Sequence, residues 1–127
     1  MDIEISNPIN IKFELIEVDD HLPSMSFNVS IIVKKFSYSS EVHSKVWIEC
    51  HTFDDFMSGL GRGGVACLKD INNSFELILN PIVKSLEWSC IKEDCNGGMV
   101  SLKGSERLDD DSKASIYKAF NDYPKWW

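Results

Sequence analysis

Val46-Trp47-Ile48-Glu49-Cys50-His51-Thr52-Phe53-Asp54-Asp55-Phe56-Met57-Ser58-Gly59-Leu60 changes its hydrophobic period halfway along. Up to His51 the pattern has period two: Val46 and Ile48 share one face and Trp47 takes the other, as in a strand with one buried side. From Thr52 onward Phe53, Phe56, Met57 and Leu60 recur three and four positions apart, which is the apolar stripe of a short helix. Thr52 is placed to cap the amide of Asp55. Asp54 and Asp55 fall in the first turn, where acids favour the helix dipole. Gly59, Gly61, Gly63 and Gly64 then stop the helix.

Strand patterns lie on both sides of this switch. Upstream, Ile11, Phe13 and Leu15 alternate with Lys12 and Glu14, and Asp19-Asp20-His21-Leu22-Pro23 breaks the run. Met25 to Phe36 alternates again, Ser39-Ser40 reads as a hairpin turn, and a third strand runs from Val42 to His51. Downstream, Val65 to Lys69, Phe75 to Leu79 and Lys84 to Lys92 are strands, the last with Leu86, Trp88 and Cys90 at period two. Asn96-Gly97-Gly98 is a turn signal that sends Met99 to Lys103 back as a hairpin. Asp109-Asp110-Asp111-Ser112 opens a second helix with Ile116, Ala119 and Phe120 inward, and Pro124 ends it. The expected fold is α+β: one strongly twisted, mainly antiparallel sheet of six to seven strands, a short helix near 53–60 and a C-terminal helix near 110–121. Residues 1–127 read as a single domain, without repeat or linker.

Composition narrows the classes of function. With 20 acidic and 13 basic side chains the chain carries −7. That charge repels phosphate backbones and attracts a basic partner, so nucleic acid is not an expected ligand. No apolar run approaches the roughly 20 residues that span a bilayer, and Met1-Asp2-Ile3-Glu4 lacks the features of a secretion signal. Cys50, Cys67, Cys90 and Cys95 read as reduced thiols of a cytoplasmic protein, the first three within apolar runs.

Several motifs suggest chemistry and then fail on context. Gly59 to Gly64 satisfies G-x-G-x-x-G, but a dinucleotide site needs that string between a strand and a following helix, and here the order is reversed. Cys90 and Cys95 lack the second ligand pair that structural zinc requires, so neither metal nor cofactor is expected. Cys50 and His51 are adjacent in a strand and would point to opposite faces. A catalytic reading would need His51, His43 or a cysteine to meet only in the fold.

Two other features point to a binding surface. Asp109, Asp110 and Asp111 with Glu106 form one acidic group, and Asp19 and Asp20 with Glu17 form another; the first exceeds what a helix N-terminus requires. Trp47 is either core on a second face or an exposed anchor. Trp126 and Trp127 either fold back on the sheet or serve an interface, including one between two copies of the chain.

The order of elements carries a resemblance. Strands with Phe13-Glu14-Leu15 and Val46-Trp47-Ile48-Glu49 precede the helix Thr52 to Leu60. Then come Val65-Ala66-Cys67-Leu68 and Phe75-Glu76-Leu77-Ile78-Leu79, a further hairpin and a final helix. From Lys12 to Tyr123 the chain resembles the small immunity proteins of bacterial contact-dependent growth inhibition and polymorphic toxin systems. The resemblance implies a cytoplasmic inhibitor without catalytic activity that binds and neutralises a cognate toxin, commonly a nuclease. Such a toxin is basic, which suits an acidic surface. The resemblance assigns no residue a role.

Overall fold

Ile3 and Ile5, Ile11 and Phe13, then Met25, Phe27, Val29, Ile31 and Val33 are buried at alternate positions, so each of these segments turns one face inward. The computed structural model describes residues 2–127. Its elements in chain order are β1 (Asp2–Ile5), β2 (Asn10–Asp19), β3 (Ser24–Lys35), β4 (Tyr38–Glu49), α1 (Cys50–Arg62), β5 (Ala66–Lys69), β6 (Phe75–Asn80), β7 (Ser85–Glu93), β8 (Met99–Arg107) and α2 (Asp110–Asn121). The strands form two four-stranded sheets, β1-β2-β3-β4 and β5-β6-β7-β8. All neighbours are antiparallel and successive in sequence, so each sheet is a meander followed by a helix.

One core joins both sheets and both helices. Phe13 is at its centre. Its ring meets Phe27 of β3 at 5.8 Å, Phe75 of the second sheet at 5.8 Å and Phe120 of α2 at 5.6 Å, all edge to face. Phe120 in turn packs on Phe56 of α1 at 4.9 Å. Each helix therefore buries its stripe against rings that the strands already present.

The expectation of a single sheet of six to seven strands is corrected to eight strands in two sheets. Period two reports which face a strand buries and says nothing about its neighbours. The thirteen residues of α1 end pairing after β4, and β5 starts a new sheet. The short β1 was missed, and the β3–β4 turn lies at Phe36-Ser37, so Ser39 and Ser40 belong to β4.

The first helix also starts earlier than Thr52. Its N-cap is Glu49, which makes no side-chain capping bond. Instead the Cys50 amide donates to the Pro23 carbonyl at 2.8 Å, so the β2–β3 turn satisfies an otherwise open helix donor. Thr52 is inside the helix, and the first turn holds no acid. The helix also runs past the expected end at Leu60 to Arg62, with Gly59 and Gly61 inside it, and only Gly63 and Gly64 form the stop. Gly63 takes the left-handed conformation, and the amides of Gly63 and Gly64 bond the Leu60 and Gly59 carbonyls, closing a Schellman motif. Among the described residues no helix is long and apolar enough to cross a membrane.

Candidate functional site

Residues directly opposite each other in an antiparallel ladder share a face. That rule assembles the outer side of the first sheet, facing away from the core. Row by row it reads Asp19–Ser24–Glu49, Glu17–Ser26–Trp47, Asp2–Glu14–Asn28–Lys45, Glu4–Lys12–Ser30–His43 and Asn10–Ile32–Glu41, with Lys34 beyond. A register shift between Leu15 and Glu17 keeps Glu17 and Asp19 on this side. Without that bulge both would turn to the inner face.

Seven carboxylates lie on this face against three lysines, Lys12, Lys34 and Lys45, a net of four negative charges. The lysines at its centre are surrounded by acids. Lys12 Nζ lies 3.5 Å from Asp2, 3.7 Å from Glu4 and 3.8 Å from Glu14, and Lys45 lies 3.8 Å from Glu17. Asp2 above all holds the Lys12 ammonium above its ordinary pKa, outweighing the opposing effect of burial, and Glu4 and Glu14 add to it. The His43 ring bonds Ser30 Oγ at 3.1 Å and Glu41 at 2.7 Å, so both ring nitrogens are engaged.

Trp47 stands half-buried among these acids. Its cross-strand partner Ser26 is fully buried although it belongs to the outer face, and the Ser26 hydroxyl has no hydrogen-bond partner. At the same end Ile16, Val18 and Leu22 are 42%, 46% and 55% exposed. Val18 pairs with Met25 and takes the other side of the sheet from Glu17 and Asp19.

The acidic groups read from the sequence separate. Asp19 and Asp20 are exposed at the end of β2 and in the turn after it, and Asp19 accepts the His21 amide at 2.9 Å. Asp109 is the N-cap of α2. It accepts the Ser112 amide at 2.7 Å, and Ser112 Oγ completes a capping box. These bonds to Ser112 hold the Asp109 carboxyl below its ordinary pKa. Asp110 and Asp111 are exposed in the first turn of α2. Glu106 forms an ion pair with Lys35 across the two sheets and is only 11% exposed. The two groups lie toward opposite ends of α1: the Cys50 end meets the β2–β3 turn, and Asp110 lines a shallow depression with Leu60 and Gly61. The length of α1 puts about 18 Å between them.

At the C-terminus Trp127 folds back onto α1, its ring 5.6 Å from Phe53 and its indole N–H bonded to Asp54, whereas Trp126 stays 39% exposed. Cys50 and Cys90 are buried, and burial pushes both thiols up to about 11, aided by Asp54 and Asp70 respectively. Cys67, read as lying within an apolar run, is exposed, because Ala66 and Leu68 take the inward positions of β5. His51 bonds Glu49 at 2.6 Å. Among the described residues no cluster of three or more His, Cys, Asp or Glu could hold a metal ion.

Asp2, Glu4, Glu14, Glu41 and Glu49 escape a reading of the sequence for acids contiguous in the chain. The available signal was alternation: Asp2 and Glu4, Lys12 and Glu14, and Glu41 to Glu49 all stand opposite the apolar phase of their strands. Compared with family models, with curated proteins and with solved structures, the chain finds no match.

Proposed function

We propose that this protein is an immunity protein, which binds a basic toxin domain in the cytoplasm and neutralises it through the outer face of the first sheet. The observation that carries the reading is the concentration there of seven carboxylates, of which Glu17, Asp19 and Glu49 lie in the rows at Trp47. A rigid antiparallel sheet with one solvated face holds those charges at fixed spacing, with strands about 4.8 Å apart. Fixed charge of one sign steers an oppositely charged partner and raises the association rate. Trp47, with the exposed Ile16 and Leu22 at the same end of the sheet, supplies the apolar contact from which affinity comes once the partner has docked.

A nuclease suits this partner, since its active site is basic in order to hold a polyanion. The acidic face occupies that site and keeps the substrate out. This face gathers more carboxylates than the α2 N-terminus, where Asp109 caps the helix through Ser112 and Glu106 is paired with Lys35.

The test begins with the neighbouring genes. A large secreted protein with a variable C-terminal domain, encoded next to this chain, supplies the candidate toxin. That domain, expressed alone, should arrest growth; co-expression with this chain should restore it, and the two should co-purify. Arrest that persists despite co-expression, or a pair that never associates, rejects the reading for that toxin.

A further inference from the structure

Each sheet has two edges, and they are not equally protected. β1 and β5 are four residues long. The free edge of β4 carries Glu41, His43 and Lys45, and its Trp47 carbonyl accepts the Ile71 amide at 2.8 Å. Shortness, charge and a covering loop are the usual ways of blocking edge pairing. β8 has less of this protection. It is nine residues long, and Met99, Val100 and Leu102 near its start are 68%, 56% and 39% exposed.

Backbone hydrogen bonds at both ends of the β7–β8 ladder fix which groups of β8 point outward. Leu108 donates to Lys84 at one end and Asp94 to Gly98 at the other, so the even-numbered residues of β8 face β7. The N–H and C=O groups of Met99, Ser101, Lys103, Ser105 and Arg107 therefore point away from the sheet.

We infer that β8 pairs with β8 of a second copy of this chain, joining two second sheets into one continuous eight-stranded sheet across a twofold axis at Ser101. The strand is self-complementary in that register. Val100 falls opposite Leu102 of the other copy in a non-hydrogen-bonded pair, where side chains approach most closely, and both lie on the inner side. The exposed apolar residues thus cover one another. Met99 meets Lys103, so the lysine that would guard the edge finds no like charge. Shifting the axis to Lys103 would set two lysines face to face, and the pattern rejects it. The axis at Ser101 also carries Arg107 of each copy toward Glu93, at the end of β7, and Asp94 of the other, an opposite-charge contact. Glu41 and His43 line a depression together with Val100 and Leu102, so only that corner of the acidic face borders the seam.

Sedimentation of the intact chain should show a concentration-dependent species of twice the 14.5 kDa monomer mass. Ser101→Pro removes an amide that the monomer does not use, and proline is tolerated on an edge strand; it should weaken the dimer at least tenfold with an unchanged circular dichroism spectrum. Val100→Lys, at an exposed position, should do the same should the proline variant fail to fold. In a Cys67→Ser, Cys95→Ser background, Ser101→Cys should form an interchain disulfide on mild oxidation, because the two positions face each other across the axis. A chain that stays monomeric throughout the micromolar range overturns the inference. So does a dimer that persists in folded Ser101→Pro and Val100→Lys, or one that is lost only on truncation after Tyr123.

Discussion

The indole N–H of Trp127 donates to Asp54 Oδ2 at 3.0 Å, while Lys125 Nζ lies 2.7 Å from Oδ1 of the same carboxylate. One side chain of α1 thus holds the end of the chain by both of its oxygens. Burial pushes the Asp54 carboxyl up, but the bonds from Lys125 and Trp127 outweigh it and leave the group below its ordinary 3.8. A carboxylate whose folded pKa is depressed adds stability above its unfolded value and loses it as the pH falls through the folded one. Acidification below 3.8 should therefore release Trp127 from Phe53, seen as a red shift of tryptophan emission. Asp54→Asn should lack that step; an identical step in the variant would assign it to another group.

Trp88 and Gly104 face each other across β7 and β8, and a Cβ at Gly104 would stand 2.5 Å from Trp88 Nε1. The indole is 4% exposed and rigid, so the clash has no cheap relief. Gly104→Ala should lower the stability in urea or heat by about 1–3 kcal/mol, as overpacking does. An unchanged unfolding midpoint would show that the indole can move aside.

The chain was most legible where one local force acts alone. Alternation at Phe27, Val29 and Ile31 and the stripe Phe53, Phe56, Leu60 gave the elements and their inward faces, because burial needs only the residue's own phase. The partition into two sheets was hidden, since nothing in Ala66 or Leu68 tells which strand lies beside β5. The N-terminus of α1 was misread because its donor is satisfied by Pro23, far upstream in the sequence, and not by the nearby Thr52. The acidic face failed for a related reason. Glu4, Glu14, Glu17 and Glu49 become neighbours only through the register, including the bulge after Leu15, and a register is a property of pairs.

Asp70 is 4% exposed in the β5–β6 turn, where its Oδ1 accepts the Ser74 amide at 2.7 Å and the Phe75 amide at 3.0 Å. Its other oxygen accepts the Ser74 hydroxyl. Asp70→Ala leaves those donors unmatched next to the core and should destabilise by about 2–3 kcal/mol. Asp70→Asn keeps one oxygen for the two amides and should lose clearly less. Equal losses for the two variants would mean that the charge, and not the geometry of the acceptor, holds the turn.

The four thiols should divide by burial. Cys95 lies in the exposed β7–β8 turn, and Cys67 is exposed but raised above its ordinary pKa by partial burial and by Glu76. Titration of the native protein with a thiol reagent at mildly alkaline pH should consume Cys95 fast and Cys67 more slowly. Cys50 and Cys90, at about 11, should react only after unfolding, because the thiolate is the reacting species. Four fast thiols would contradict the packing of α1 and β7.

Glu17 and Asp19 are exposed, so reversing their charge should change stability by no more than about 0.5 kcal/mol. The Glu17→Lys, Asp19→Lys pair should nevertheless weaken binding to the proposed toxin partner by about tenfold or more, mainly through slower association at low salt. Added salt screens the same attraction over a length near 10 Å at 0.1 M, so it should slow association of the unmodified protein more than that of the variant. Asp110→Lys with Asp111→Lys, at the other end of α1, provides the contrast and should leave the association rate close to that of the parent. The opposite ranking, with the α2 pair dominant, would move the interface from the first sheet to the second helix.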